Sequence, residues 1–137
     1  MVADLHGDVV YLTSEDKVLY HAAAVIACNY FTTLVKLATD LWKQFGKSPT
    51  DGIKAYMPLL RGTLDGIEKT GFPQCLTGPI ARGDVDTIRR HMAALAKYAP
   101  EILPLYQELG SFTISIGLDK GSLSAENAGE LKTILKK

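Results

Sequence analysis

The stretch VLYHAAAVIACNYF, residues 18–31, decides the fold of this chain. It lies inside a longer helical pattern that begins after Ser14, a good N-cap, and stops at Gly46. About thirty residues at 1.5 Å each predict a helix of roughly 45–50 Å. Residues 18–31 are apolar on nearly every side, which is typical of a helix that is surrounded rather than half-exposed. A domain of this size can hardly surround it alone, so we expect a partner subunit or a second domain as its cover.

The remainder of the chain predicts shorter helices separated by glycine and proline. Ser48 and Pro49 start a helix as N-cap and first helical residue, and Pro58 should kink or break it. Its second piece ends at Gly71. Later helices are expected over 84–97, 101–118 and 125–135, with Asp84 and Ser124 as N-caps. The fold class is therefore all-α, a bundle of about six helices with one long N-terminal helix.

A short strand is predicted at residues 8–12, Asp-Val-Val-Tyr-Leu. A lone strand cannot satisfy its own ladder hydrogen bonds, so it should pair with something outside this chain or across an oligomer. We accordingly expect residues 1–13 to be an arm or linker and residues 14–137 to be the helical domain.

Composition excludes several functional classes for the 137-residue chain. Fifteen basic residues balance fifteen acidic ones, so no broad field favours nucleic acid or an anionic membrane. The longest nearly unbroken apolar run, Ala22 to Cys28, is far shorter than the roughly 20 residues that span a bilayer. No signal peptide is evident, and Cys28 and Cys75 suit buried free thiols, so a cytoplasmic protein is expected.

Three polar residues on the long helix are candidates for chemistry. Lys17 and His21 are four residues apart, so they share a face near the helix N-terminus. The helix dipole disfavours a cation there, which makes a lysine a readier proton donor. Asn29 lies inside the apolar stretch, where a buried amide must find partners in the backbone or in a ligand. The alternative is a solvated lysine, a core histidine and a structural asparagine.

Two further segments favour either packing or binding. Gly62 lies between Arg61 and Thr63, where it permits close helix packing, and the alternative is that Arg61 or Thr63 lines a cleft. The loop Leu76-Thr-Gly-Pro-Ile-Ala-Arg-Gly-Asp84 holds two glycines and a proline. In it, Thr77 and the Gly78 amide are spare donors, and Arg82 either binds a carboxylate or phosphate or bonds to backbone carbonyls.

Motifs for metals, dinucleotides and nucleophilic catalysis are not found. The histidines and cysteines lack ligand spacing such as HxxxH or CxxC, so no metal site is expected. The chain also lacks GxGxxG, GxxxxGK[ST] and GxSxG. It has no means of its own to bind a dinucleotide in the usual way.

Three motifs in register nevertheless carry a family resemblance over roughly residues 8–135. They are Tyr20-His-Ala-Ala-Ala-Val25 with Cys28-Asn-Tyr30, Pro58-Leu-Leu-Arg-Gly-Thr63, and the loop of residues 76–84. Together they resemble the C-terminal helical domain, long catalogued as of unknown function, of a bacterial oxidoreductase family with a Rossmann-like NADP-binding domain. Wider relatives are the 6-phosphogluconate dehydrogenase and ketopantoate reductase types, whose helical domain closes over the substrate and often builds the dimer.

The resemblance implies a function for the residues that match. Several relatives place a catalytic lysine near the start of the linking helix, so Lys17 would donate a proton to the substrate carbonyl and His21 would orient the substrate. His21 stands where some relatives have asparagine. By the same resemblance, contacts to substrate or to the cofactor domain would come from Asn29, Thr63, Thr77, Gly78 and Arg82.

The resemblance further implies a homodimer, a small-molecule substrate of the ketopantoate type, and NADP held by a separate Rossmann-like domain. Residues 8–12 look like the last strand of that domain, so the chain would be an excised fragment or a natural remnant, inactive alone. The alternative from another class is a non-catalytic, stand-alone helical dimerisation module.

Overall fold

The structure is a computed structural model that describes residue 11 and residues 13–136. The predicted strand at 8–12 therefore lies outside the described residues except for Tyr11, which belongs to no regular element. The described residues contain no strand, which confirms the all-α class. They form five helices: α1 (Asp16–Phe45), α2 (Pro49–Thr70), α3 (Val85–Tyr98), α4 (Leu103–Asp119) and α5 (Ala125–Leu135).

Helix α1 changes its hydrogen-bond pattern along its length. It is α-helical over Asp16–Ala24, π-helical over Val25–Tyr30, α-helical again over Phe31–Asp40 and 3-10 helical over Leu41–Phe45. It ends at Gly46, whose φ of 68° is a left-handed conformation that glycine adopts without steric cost, as predicted.

The start of α1 differs by one residue from the prediction. Ser14 does not cap the helix; Thr13 does. The Thr13 hydroxyl accepts a hydrogen bond from the Asp16 backbone N–H at 3.2 Å, and the Asp16 carboxylate accepts one from the Thr13 backbone N–H at 3.2 Å. This reciprocal pair needs a spacing of three residues, which Thr13 and Asp16 have and which Ser14 and Lys17 cannot reproduce.

Helix α2 is a single helix, so the predicted break at Pro58 is wrong and the chain has five described helices rather than about six. Proline removes one N–H, which leaves the carbonyl of Lys54 without its usual helical donor. Lys54 and Pro58 both lie on an exposed face. Water can hydrogen-bond that carbonyl, so the helix continues.

Three other predicted helix starts are confirmed, whereas the helix expected from residue 101 begins at Leu103. Ser48 and Asp51 form a capping box ahead of Pro49. The Asp84 carboxylate accepts from the Thr87 N–H at 3.1 Å, and the Ser124 hydroxyl accepts from the Asn127 N–H at 3.2 Å. Each cap satisfies an N–H that the first helical turn leaves unpaired.

The chain divides into two compact units, Met1–Ala38 and Thr39–Lys137, with the boundary inside α1. The second unit holds the hydrophobic core, which combines α3, α4 and α5 with the segments that precede α3 and α5. Three of its side chains, Ile88, Ile114 and Leu131, are fully buried. The complete cluster is Ile80, Ile88, Ile114, Leu123, Ala128, Leu131 and Leu135.

The first unit has no such core in its described part, which is helical from Asp16 onward. None of its described residues is buried. Large apolar side chains are open to solvent, among them Val18 at 75% and Ile26 at 62% exposure. The residues that the structure describes therefore leave the apolar surface of residues 18–31 exposed.

Helix α1 also meets the length and composition of a membrane-crossing helix, on those two criteria alone. Residues 18–35 contain no charged side chain. The unbroken apolar run Ala22–Cys28 is shorter than this uncharged stretch, because His, Asn, Thr and Tyr residues interrupt the run without adding charge. The predicted absence of a membrane partner stays a prediction.

Candidate functional site

Lys17 and His21 lie in the first two turns of α1, and both are exposed. The backbone N–H of Lys17 donates to the Thr13 carbonyl at 3.3 Å, which secures the first turn. Neither side chain has a hydrogen-bond or ion-pair partner within residues 13–136. The two polar groups therefore share a helix face, as predicted, and are available to a ligand or to a second molecule.

Asn29 is exposed, and not buried as the sequence indicated. It lies in the π-helical turn Val25–Tyr30, where its carbonyl accepts a hydrogen bond from the Thr33 hydroxyl at 3.2 Å. Cys28 in the same turn is also exposed, which corrects its predicted burial. These exposures are those of the single chain, whose apolar helix is expected to be covered by a partner subunit or a second domain. π-helical turns occur often at functional sites, and no sequence signal marked this one.

The loop of residues 71–84, which joins α2 to α3, is a rigid corner. Gly78 and Gly83 have φ values of 97° and 66°, so both positions require the left-handed freedom of glycine. The Asp84 N–H donates to the Pro79 carbonyl at 2.9 Å, and the Gly83 N–H donates to the Ile80 carbonyl at 3.0 Å. These bonds hold the segment in one tight turn ahead of α3.

Side chains distant in sequence fasten this corner to the following helices. The Lys120 ammonium donates to the carbonyls of Gln74 and Leu76 at 3.0 and 2.7 Å. Ser122 donates to the Ala81 carbonyl at 2.7 Å, and Asn127 donates to the Gly83 carbonyl at 3.2 Å. Carbonyls that a loop would otherwise leave to water are thus paired within the chain.

The Arg82 side chain does not bond to the backbone carbonyls of the corner, which was one of its two predicted roles. Its guanidinium makes no hydrogen bond to any residue in the part of the chain that the structure describes, and the residue is exposed. Only its backbone N–H is engaged, with the Gly78 carbonyl at 3.3 Å. Since Lys120, Ser122 and Asn127 bond the corner's carbonyls, the Arg82 side chain is left open to an anion.

The carboxylate of Asp84 follows directly in the chain. Hydrogen bonds from the Thr87 hydroxyl and backbone N–H hold the pKa of Asp84 below its usual 3.8, and the charges of Arg82 and Arg90 add to this. An anionic ligand at Arg82 would therefore meet an ionised Asp84 nearby in sequence, which restricts the directions from which it can approach.

Thr63 and Thr77 line the same groove between α2 and the loop, here called the α2 groove, with a volume of about 680 Å³. The Thr63 hydroxyl already donates to the Leu59 carbonyl at 3.0 Å. The Thr77 hydroxyl has no partner among the described residues. A Cβ on Gly62 would meet nothing within 4 Å, so Gly62 borders open space and does not serve close helix packing.

The predicted site residues fall in different units. Lys17, His21 and Asn29 belong to Met1–Ala38, whereas Thr63, Thr77, Gly78 and Arg82 belong to Thr39–Lys137. Within the second unit the structure brings Thr63 and Thr77 to one groove and leaves Arg82 outside its lining. No group of three or more potential metal ligands occurs among residues 11 and 13–136.

One polar pair escaped the sequence analysis. His91 Nδ1 lies 2.9 Å from the Tyr106 hydroxyl, across the interface of α3 and α4. Both residues line a cavity that Thr77 also borders. Fifteen positions separate them along the chain, so no helical spacing brings them together, and only the packing of α3 on α4 does so.

Comparison with known proteins places the chain by its sequence. Residues 1–113 match the model of a family described as a domain of unknown function, DUF2520. Neither the curated proteins nor the solved structures contain a match to this chain. The match spans most of the 137 residues, including α1, α2 and the corner at 71–84. The chain therefore belongs to the DUF2520 family.

Proposed function

We propose that this chain is the dimerisation and substrate-capping domain of a two-domain, NADP-dependent reductase of 2-oxo acids such as ketopantoate. In this proposal a Rossmann-like domain holds NADP, and the helical domain, of the 6-phosphogluconate dehydrogenase C-terminal type, closes over the substrate. In this proposal the helical domain alone transfers no hydride, because the nicotinamide is held by the Rossmann-like domain.

The uncovered surface of α1 carries the proposal. Val18, Leu19, Tyr20, Ile26 and Tyr30 are all more than half exposed. Burial of apolar surface contributes about 25 cal/mol per Å², so covering several such side chains stabilises an association substantially. Soluble proteins that expose a contiguous apolar face of this kind generally use it for binding. A second copy of α1 and a cofactor domain together supply that cover.

The polar residues take roles that match their exposure. Lys17 donates a proton to the substrate carbonyl as hydride arrives from NADPH, and His21, one turn further, orients the substrate. The open guanidinium of Arg82 and the free hydroxyl of Thr77 contact the substrate carboxylate or the cofactor domain, together with Asn29, Thr63 and Gly78. An alcohol is the product, because the carbonyl carbon gains hydride and its oxygen gains the proton.

Light scattering over a concentration series tests the dimer. We expect a dimer that persists on dilution, and we expect Ile26→Glu to convert it to a monomer. Ile26 is exposed in the single chain, so the glutamate leaves the fold of the monomer intact. Thr133→Glu adds the same charge at an exposed position of α5. This variant is the control and should remain dimeric. A wild-type monomer in buffer, or a chain that floats with neutral liposomes, contradicts the proposal.

Kinetics in the two-domain protein test the chemistry. With NADPH and ketopantoate, Lys17→Ala should lower kcat by about a hundredfold or more, as loss of a general acid does, with the Kd for NADPH unchanged. Lys54→Ala, at an exposed lysine of α2, should retain wild-type kcat. Weakened NADPH binding in Lys17→Ala would remove Lys17 from the role of proton donor.

A non-catalytic dimerisation module is the second candidate. It is favoured by the side chains of Lys17 and His21, which make no hydrogen bond or ion pair within residues 13–136 that would fix them in a catalytic arrangement. A dimer that Ile26→Glu disrupts, together with no NADPH consumption for any 2-oxo acid in the two-domain protein, would select this candidate.

A further inference from the structure

A second cavity, here called the α3–α4 cavity, lies between the corner loop, α3 and α4. Its volume is about 400 Å³, within the range of small-molecule sites. Its walls include Ile80 and Ile88, which belong to the hydrophobic core. Because Ile88 is fully buried, this part of the wall is held in place by core packing. The lining is Thr77, Pro79, Ile80, Ile88, His91, Tyr106, Leu109, Gly110 and Thr113.

The lining is apolar except for a few groups, and one of these is the pair of His91 and Tyr106. Their rings meet edge to face, with centroids 6.0 Å apart and planes at 80°, and the Tyr106 hydroxyl lies 2.9 Å from His91 Nδ1. Burial raises the pKa of Tyr106, so its hydroxyl stays protonated near neutral pH and can donate to Nδ1. In the tautomer whose Nδ1 accepts this bond, the imidazole proton lies on Nε2, and no described residue accepts a hydrogen bond from it.

Two threonine hydroxyls are the other polar side-chain groups of the lining. The Thr113 hydroxyl already donates to the Leu109 carbonyl at 2.8 Å, whereas the Thr77 hydroxyl has no partner among the described residues. No aspartate, glutamate, lysine or arginine lines the cavity. An incoming anion thus meets no carboxylate in the lining, and an ion of either sign finds no Asp, Glu, Lys or Arg to pair with, so hydrogen-bond donors decide which ligand fits.

The geometry points to the α3–α4 cavity as a binding site for a small monocarboxylate with an apolar body, whose carboxylate accepts hydrogen bonds from His91 Nε2 and the Thr77 hydroxyl. The apolar body lies against Ile80, Ile88 and Leu109. Hydrogen bonds to an ionised acceptor are about twice as strong as neutral ones, so these two donors favour a carboxylate over a neutral acceptor. This inference does not require the reductase function, but Thr77 borders both this cavity and the α2 groove, so its hydroxyl serves only one of the two ligands at a time.

Phenylacetate is the first probe, observed by NMR titration of the full chain labelled with ¹⁵N. We expect shifts in the His91 ring nitrogens and in the backbone amides that border the cavity. 2-Phenylethanol has the same apolar body without the charge and should bind at least about tenfold more weakly, since a charge-assisted hydrogen bond is lost. Equal affinity for the acid and the alcohol, or shifts spread outside the cavity, would overturn the inference.

Two substitutions test the pair in a matched way. Tyr106→Phe keeps the ring and removes the hydroxyl that orients His91, so phenylacetate should bind several-fold more weakly. Tyr98→Phe makes the same change at an exposed tyrosine of α3 outside the lining and should leave binding unchanged. Equal affinities in the two variants would remove the pair from the site. The comparison of phenylacetate with 2-phenylethanol uses the wild-type chain, so it tests the inference even if Tyr106→Phe folds poorly.

Discussion

The amide Nδ2 of Asn127 lies 3.2 Å from the carbonyl oxygen of Gly83, a bond that joins the first turn of α5 to the turn ahead of α3. A Cβ at position 83 would fall 2.5 Å from that same nitrogen, and the backbone of Gly83 has a left-handed φ of 66°. The two segments fit together only because residue 83 has no side chain. The C-terminal end of the corner at residues 71–84 thus depends on Gly83 and on the Asn127 amide.

Gly83→Ala should destabilise the chain by about 2 kcal/mol, because a left-handed alanine costs roughly 1–2 kcal/mol and the new methyl displaces the Asn127 amide. Urea unfolding followed by circular dichroism measures the change. A variant as stable as the wild type would mean that the corner relaxes without cost.

Gly129→Ala should act in the opposite direction and is the matched control. Gly129 lies inside α5, and a Cβ there meets nothing within 4 Å. Alanine in a helix interior is favoured over glycine by up to about 1 kcal/mol. The same urea titration should show a higher midpoint with an unchanged slope. A lower midpoint would indicate a contact that covers this face of α5.

Lys120→Met should loosen the loop, because it removes the donor that pairs the carbonyls of Gln74 and Leu76. Hydrogen bonds from a charged donor contribute about 1.5–3 kcal/mol, so we expect a loss of about 2 kcal/mol. Limited proteolysis of residues 71–84 should be faster in the variant. Lys132→Met, at an exposed lysine of α5, is the control. Equal cleavage rates in both variants would show that Lys120 does not fasten the loop.

Asp84→Asn should make the free energy of unfolding depend less steeply on pH in the acid range. The Thr87 hydroxyl and N–H lower the pKa of Asp84 below 3.8, so the folded chain favours the ionised form. Its contribution is therefore fully present above about pH 3.8 and is lost as pH falls through the lower, folded-state value. Asparagine also caps helices, so stability at neutral pH should change little.

Thermal unfolding between pH 2 and pH 7 measures this effect. Asp119→Asn is the control, because the Asp119 carboxylate makes no hydrogen bond to any residue in 13–136. Asp16 and Asp51 have pKa values lowered in the same direction by Thr13 and Ser48, so Asp84→Asn should reduce the acid sensitivity without abolishing it. Parallel profiles for Asp84→Asn and the wild type would contradict the assignment.

Helix ends were the part of the fold that sequence reasoning predicted best. Ser48, Asp84 and Ser124 cap helices as expected, and Gly46 ends α1. A cap bonds to a backbone N–H only two or three residues away, so the cap and its partner lie in the same short segment of sequence. The one error in cap position, Ser14 for Thr13, arose because the spacing of Thr13 and Asp16 was overlooked.

Errors arose where solvent or distant segments decide the outcome. Pro58 lies inside a continuous α2 because its face is exposed, and Gly62 borders a groove and not a neighbouring helix. Asn29 and Cys28 were expected to be buried because their neighbours are apolar, yet both are exposed in this chain. Apolar neighbours in sequence indicate that a surface needs cover, and they do not say whether the same chain supplies it.

The sequence by itself determined the all-α class, the long apolar α1 and the glycine-rich corner before α3, since all of these depend on local backbone preferences and side-chain periodicity. Only the tertiary structure decided that Lys120, Ser122 and Asn127 bond the corner's carbonyls in place of Arg82. It alone paired His91 with Tyr106. Each of these bonds joins residues 15 or more positions apart, so it exists only after the helices have packed.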